Sequence, residues 1–461
     1  MLAQGCATTR HKPGAHPAPN LVFVFADQWR AQATGYAGDP NVKTPHLDRL
    51  AGESLNLTHA VACTPVCSPY RGCLITGQYP HKHGIFLNDV PLSNKATSFA
   101  QALGGAGYHT GYIGKWHLDG HGRSSFIPQE RRQGFDYWRV LECTHDYNRS
   151  KYFAEENVLK QWEGYDAIAQ TRDAQQYIRA HANTGPFALF LSWGPPHNPY
   201  ETAPREFKDM YRPEALTLRK NVPAAHEAAA RKDLAGYYAH CSALDACTGD
   251  LLATLNECGI ADNTIFVFTS DHGDMLESQG EQRKQRPWDE SIRIPFLVRY
   301  PNAMGRNARE SNLLINSPDI MPTMLGLCGI DTPTTAQGHD YSAALRGEKR
   351  IDVEAALLAC YHPFGEWTRE KGGREFRGVR THRHTYIKSL DGAWLLYDSE
   401  KDPFQLENLA GRKGVGKIQT HLDGLVKKLL EEVDDDFRPG DAYVGDWGYK
   451  TDANGTAPYA G

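Results

Sequence analysis

The sequence predicts an α/β fold with a large central, mostly parallel sheet flanked by helices. Three observations carry this expectation. First, Leu21-Val22-Phe23-Val24-Phe25, Phe187-Ala188-Leu189-Phe190-Leu191 and Ile265-Phe266-Val267-Phe268 are unbroken apolar runs, which suit strands covered on both faces. Second, each run leads into polar residues: Asp27-Gln28, His197 and Asp271-His272. Third, helical periodicity lies between them. It is clearest over Ala224 to Cys258, where Leu234, Tyr238, Cys241, Leu244, Leu251 and Leu255 recur at helical spacing and Gly259 is a stop. Strands alternating with helices build parallel units. Ligands of such sheets bind beyond the carboxyl ends of the strands, where these polar residues fall.

The character of the chain changes after about residue 345. Arg377-Gly378-Val379-Arg380 and His384-Thr385-Tyr386-Ile387 read as one short strand, and Trp394-Leu395-Leu396-Tyr397 as its hairpin partner. Asp391-Gly392 supplies the turn between them. A helix is expected over 417–433, and the Gly-, Asp- and Tyr-rich tail from Asp434 reads as an extended surface strap. The expected organisation is a tail over 1–19, a catalytic α/β domain over 20–345, and a smaller α+β subdomain over 346–461 that carries a short antiparallel sheet and the tail.

Composition narrows the function classes. With 40% hydrophobic and 23% charged residues in 461, the chain is not disordered. Its 50 basic and 55 acidic residues leave a formal charge of −5, with no basic excess for nucleic acid. No apolar stretch reaches the roughly 18 residues of a membrane-spanning helix. Residues 1–19 lack the apolar segment of a complete signal peptide, although Leu2-Ala3-Gln4-Gly5-Cys6 loosely resembles the end of a bacterial lipoprotein signal. The ten cysteines are scattered, without zinc-ligand or disulfide-framework spacing.

Cys67-Ser68-Pro69-Tyr70-Arg71-Gly72-Cys73-Leu74-Ile75-Thr76-Gly77 is the most informative segment. Ser68 reads as an N-cap and Pro69 as the first helical residue. Cys67 then sits at a helix mouth, where amide N–H groups and the dipole favour an anion, with Arg71 one turn further in. A cysteine so placed is electropositive and reactive. The alternative is a buried core cysteine and a helix-surface arginine.

This segment resembles the signature of the formylglycine-dependent sulfatases, of the alkaline phosphatase superfamily: Cys-x-Pro-x-Arg followed by a Leu/Thr-Gly stop. Tyr70 departs from the small residue usual there. The resemblance extends along the chain. Asn20 to Gln28 is similar to the family's opening strand, with Asp27-Gln28 in place of an Asp-Asp pair. Thr44-Pro45-His46-Leu47-Asp48, Gly114-Lys115-Trp116-His117-Leu118, His197-Asn198-Pro199, Thr269-Ser270-Asp271-His272-Gly273 and Lys284 ahead of Trp288-Asp289-Glu290-Ser291 match further blocks in order.

The resemblance implies a bacterial polysaccharide-sulfatase-like enzyme on an alkaline-phosphatase-like sheet. Its nucleophile would be formylglycine, made from Cys67 by a formylglycine-generating enzyme. Asp27, Gln28, Asp271 and His272, with residue 67, would hold one divalent cation. Oxygen ligands favour Ca²⁺ or Mg²⁺, and His272 admits Mn²⁺. Arg71, Lys115 and Lys284 would cradle the sulfuryl oxygens. His117, two residues from Lys115 and so on the same face of a strand, would handle the proton of the hydrated aldehyde. His197 would protonate the leaving alcohol, assisted by Lys284. A sulfated saccharide is the expected substrate. His145, Asp146, Tyr147 and Arg380 are the expected substrate contacts, and His83, His121, Arg123, His362 and Trp367 are further pocket candidates. Periplasmic or extracellular location follows from such a substrate. Two other readings stand: a phosphonate monoester or phosphodiester hydrolase with the same nucleophile, and a catalytically silent protein that binds sulfated glycans.

Overall fold

A computed structural model describes residues 18–459; Leu2–Cys6 lie outside the described residues. Ten strands form the main sheet: β1 (Asn20–Asp27), β2 (Leu55–Leu57), β3 (His109–Lys115), β4 (Tyr137–Leu141), β5 (Lys151–Phe153), β6 (Leu159–Gln161), β7 (Phe187–Pro196), β8 (Thr264–Ser270), β9 (Phe296–Arg299) and β10 (Arg309–Ser311). They lie in the order β10-β2-β9-β8-β1-β7-β3-β4-β5-β6. The run β8-β1-β7-β3-β4 is parallel throughout, whereas the edges include antiparallel pairs. The apolar runs are β1, β7 and β8, fully buried along their lengths. Alternate side chains of β1 enter different cores: Leu21, Phe23 and Phe25 one, Val22, Val24 and Ala26 the other. This two-faced burial is the reason the runs do not alternate with polar residues.

Helices cover both faces. α1 (Cys67–Thr76) and α4 (Ser317–Leu327) bury residues in the first core, while α2 (Asp166–His181) and α3 (Glu227–Glu257) do so in the second.

A second sheet of four antiparallel strands has the order β11 (Ala355–Cys360), β12 (Phe376–Thr381), β13 (His384–Ser389), β14 (Gly392–Asp398). Leu358, Ile387 and Leu395 pack from it against Val61, Ile292 and Leu314 of the main body. Val379, Tyr386 and Leu396 on its other face meet Leu422, Leu425 and Val426 of α5 (Gly416–Val433).

The segment expected to be one strand is two. The Thr381 hydroxyl accepts the backbone N–H of Arg383 at 3.3 Å and of His384 at 2.8 Å, closing a turn between β12 and β13. The tail also departs from an extended surface strap. It forms α6 (Gly440–Asp446), buries Tyr443 and Ala457, and pairs buried Asp435 with Arg377.

Candidate active site

Four neighbouring strands, β8, β1, β7 and β3, run parallel and end at one edge of the sheet. Past those ends stand Asp271 and His272, Asp27 and Gln28, His197, and Lys115 with His117. The first turn of α1 adds Cys67. Residues far apart in sequence converge because parallel register aligns the strand ends: Ala26 faces Ser270, Asp27 faces Pro196, and Gly114 faces Ser192. Gly114 is required beside Lys115: it has φ 105°, and a Cβ there would lie 2.0 Å from the Ser192 carbonyl oxygen.

Asp27, Cys67, Asp271 and His272 are fully buried and offer ligand atoms within 4.8 Å of one another. The Cys67 Sγ stands where the oxygens of a matured residue 67 would be. It lies 3.4 Å from His272 Nε2 and 3.6 Å from Asp27 Oδ1. His272 Nδ1 donates to the Gly273 carbonyl at 2.9 Å, which leaves the Nε2 lone pair facing the group, the tautomer a metal ligand needs. Two carboxylates and an imidazole aimed at one point fit a hard divalent cation. Burial and the Asp27 charge raise the Asp271 pKa, an unfavourable arrangement that a cation would relieve. Gln28 is differently engaged. Its Oε1 accepts from Lys284 Nζ at 3.0 Å, and its Nε2 donates to Asp274. Its backbone N–H holds Asp271 Oδ1 at 3.0 Å.

Arg71 is buried behind the group. Its Nη2 reaches Asp271 at 3.1 Å and Asp27 at 3.3 Å, and its Nη1 donates to Ser192 Oγ and the Lys115 carbonyl, both at 2.7 Å. It therefore orients the two carboxylates rather than presenting a free fork to substrate. Lys115 Nζ donates to Asp27 Oδ2 at 2.6 Å. Burial alone would raise the Asp27 pKa, but the charges of Lys115, Arg71 and Lys284 hold it well below the usual carboxylate range. Three fixed cations (Arg71, Lys115 and Lys284) face two carboxylates. The excess of positive charge, before any metal, suits an anionic ligand.

The helix carrying Cys67 begins at that residue, with Val66 as its cap. Ser68 is thus not the N-cap. Its hydroxyl donates to the His117 carbonyl at 2.7 Å, and Pro69 falls within the first turn, where no helical N–H is lost. His117 lies beyond the end of β3 in left-handed backbone, φ 59°, so strand alternation is not what aims it. Asp89 aims it, accepting from Nε2 at 2.9 Å. His117 Nδ1 is buried without a hydrogen-bond partner among the described residues. Burial would lower the His117 pKa, but Cys143, Asp89 and Cys67 outweigh it and raise it to about 9.

His197 Nδ1 bonds the Asn198 carbonyl at 2.8 Å, and its Nε2 lies 2.6 Å from Lys284 Nζ. Burial and the Lys284 charge push its pKa well down, so the imidazole is neutral and accepts the lysine proton. His145 stacks on His197, with ring centroids 4.5 Å apart.

The structure moves the other expected substrate contacts. Tyr147 is fully buried, and its hydroxyl donates to the His197 carbonyl at 2.9 Å and approaches those of Gly194 and Asn198. It fixes the segment that carries His197. Arg380 is also buried and withdrawn from this role, forking onto Asp289 at 3.2 and 3.3 Å. Asp146 is exposed and paired with Arg149. Trp367 lies in the core beneath the second sheet, and His83 packs against Gly72 of α1.

Sequence reasoning missed Asp89, Ser192 and Asp274. Ser192 carries a signal in retrospect, a hydroxyl in an otherwise apolar buried run. Asp89 carries none, because a lone aspartate in a polar loop is unremarkable.

Comparisons with known proteins agree with this geometry. The family model described as Sulfatase matches residues 19–330, and that described as N-sulphoglucosamine sulphohydrolase, C-terminal, matches residues 280–432. An ulvan-active sulfatase of Formosa agariphila is 43% identical over 96% of this chain and 87% of its own length. An endo-4-O-sulfatase of Bacteroides thetaiotaomicron is 30% identical over 94% of this chain and 96% of its own. A solved Bacteroides thetaiotaomicron structure from work on glycosaminoglycan metabolism superposes with a TM-score of 0.84 at 28% identity. It covers 93% of this chain and 99% of that one.

Proposed function

This chain belongs to the sulfatase family and is a sulfuric ester hydrolase, and from that premise we propose that it desulfates a sulfated carbohydrate outside the cytoplasm, using a formylglycine made from Cys67. The observation that supports the reading most is the convergence of Cys67, two carboxylates and three cations at four aligned strand ends. The names of its relatives, ulvan-active and endo-4-O-sulfatase among them, point the same way for the substrate.

Asp27, Asp271 and His272 would hold the cation with residue 67, and Gln28 would position Asp271 and Lys284. When bound, the cation would supply Lewis-acid polarisation of the nucleophile and of the sulfuryl oxygens. Lys115 and Lys284 face the anion, and Arg71 keeps both ligand carboxylates in register. A hydroxyl of residue 67 would give its proton to Asp27 Oδ1, which the Cys67 Sγ faces at 3.6 Å, and its oxygen attacks sulfur. The alcohol leaves with the single proton shared between Lys284 Nζ and His197 Nε2. His117 Nδ1, in the neutral form that its pKa of about 9 leaves in the minority near pH 7, then takes the proton of the remaining hydroxyl at residue 67, so that this step gains as pH rises; sulfate departs, and water restores the hydrate. Asp89 is placed to stabilise the imidazolium that forms. The 346–461 segment we assign to a subdomain that backs this site.

Sulfate release from a panel of sulfated mono- and oligosaccharides tests the reading, with protein co-expressed with a formylglycine-generating enzyme and with Cys67→Ala as control. Release by native protein alone is expected. Equal release by Cys67→Ala would sink the nucleophile. Turnover of phosphodiesters or phosphonates without sulfate release would replace the activity.

A further inference from the structure

The last described residues, up to Tyr459, return to the active site. After α6, Trp447 packs on Gly84, where an added Cβ would lie 2.5 Å from the indole. The Tyr449 hydroxyl donates to the Gly84 carbonyl at 3.1 Å, and its ring lies 5.7 Å from Phe86. The Asn454 carbonyl accepts from Gly365 N–H at 3.0 Å, and Ala457 is buried in the main core. This series of attachments delivers Tyr459 to the wall of the site. Its hydroxyl is shielded from solvent, lies by the Asp89 carboxylate and the Arg123 guanidinium, and has no well-formed hydrogen bond among the described residues. Asp89 is the residue that holds His117 Nε2.

A second, independent observation concerns the backbone. Asp89 has φ 67° and His117 φ 59°. Left-handed backbone costs a non-glycine residue on the order of 1 kcal/mol. Two facing residues hold it at once, so the surroundings must over-determine both. The tail supplies part of those surroundings.

We propose that Tyr459 is a positioning residue of the active site. The C-terminal segment closes the wall behind Asp89, and the Tyr459 hydroxyl completes a line from Tyr459 through Asp89 to His117 that aims His117 Nδ1 at residue 67. This rests on the reading that His117 moves the proton at residue 67.

The test is Tyr459→Phe in the full, matured chain, beside a stop after Lys450. Tyr459→Phe is expected to lower kcat about tenfold, equivalent to about 1.4 kcal/mol, with KM and Tm unchanged. In an Asp89→Asn background the same change should have no further effect. The stop after Lys450 should reproduce the kcat loss or exceed it. An unchanged kcat, or a raised KM with kcat held, would overturn the proposal. A readout independent of turnover is the ring ¹⁵N spectrum of Cys67→Ala protein labelled at histidine. The His117 resonance, identified by its loss in His117→Gln, should move in Tyr459→Phe; an unmoved resonance also overturns the proposal. If native protein releases no sulfate while that resonance moves, the functional reading fails and the tail contact stands.

Discussion

Replacing Lys284 by methionine separates proton delivery from every other role of the site. The change removes an ammonium 2.6 Å from His197 Nε2 and 3.0 Å from Gln28 Oε1 while keeping the bulk of the side chain. At an effective dielectric of about 20, a unit charge at that distance is worth about 6 kcal/mol before relaxation. That is ample to keep His197 neutral, and the pair consequently carries one proton. An alkoxide leaving from a sugar needs that proton, whereas a nitrophenolate leaves without one. Sulfate release from a sugar sulfate should therefore fall about 10²- to 10⁴-fold, or roughly 3–5 kcal/mol. Hydrolysis of 4-nitrophenyl sulfate should fall by less than about tenfold. The assay is steady-state kinetics on both substrates, with Tm as the folding control. Equal losses on the two substrates would refute proton delivery by this pair and leave Lys284 as a binding cation alone.

Three further outcomes follow from the geometry. Chelation should abolish turnover and lower Tm, because Asp27, Cys67, Asp271 and His272 would face one another without a cation; restoration is expected from Ca²⁺, then Mg²⁺ or Mn²⁺, and a chelator without effect on either readout would exclude the site. Arg380→Ala should cost about 1–3 kcal/mol in denaturant unfolding by leaving buried Asp289 with only the longer 3.6 Å contact to Arg293, with KM on sugar sulfates unchanged; a raised KM at unaltered stability would return Arg380 to the substrate. Burial would raise the Asp435 carboxyl, but Arg377 outweighs it and brings the pKa from 3.8 to about 2. The folded value is the lower one, so this pair's contribution of about 2 kcal/mol is complete above pH 3.8 and is lost as pH falls towards 2. Asp435→Asn should show less acid destabilisation across that window than native protein, and identical curves would contradict the pairing.

The central sheet was legible because its signal is local. An apolar run buried on both faces needs no partner to be recognised, and β1, β7 and β8 announce themselves this way. The second sheet was harder. Its β12–β13 turn is closed by the Thr381 hydroxyl, without the glycine or proline that marks most turns. The apolar stretch Ala355–Cys360, strand β11, carries no periodicity that separates strand from buried helix. The tail read as a strap because its composition is polar. Its attachment rests on single residues, Asp435 against Arg377, Tyr443 and Ala457, and isolated anchors leave no pattern.

At the site, residue identity was legible further than residue role. Spacing tells how far a side chain can reach, but not which of several neighbours will take it. Arg71 could have met the substrate or the metal ligands, and two buried carboxylates at 3.1 and 3.3 Å decide for the ligands. Leaving either carboxylate without that partner inside the protein would cost more than an exposed anion could return. The same competition takes Tyr147 to three backbone carbonyls and Arg380 to Asp289. Lys284 goes the other way: its nearest neighbours are a neutral imidazole and a neutral amide. Its charge is left uncompensated by direct contact, so this cation is the one most free to meet a sulfate ester.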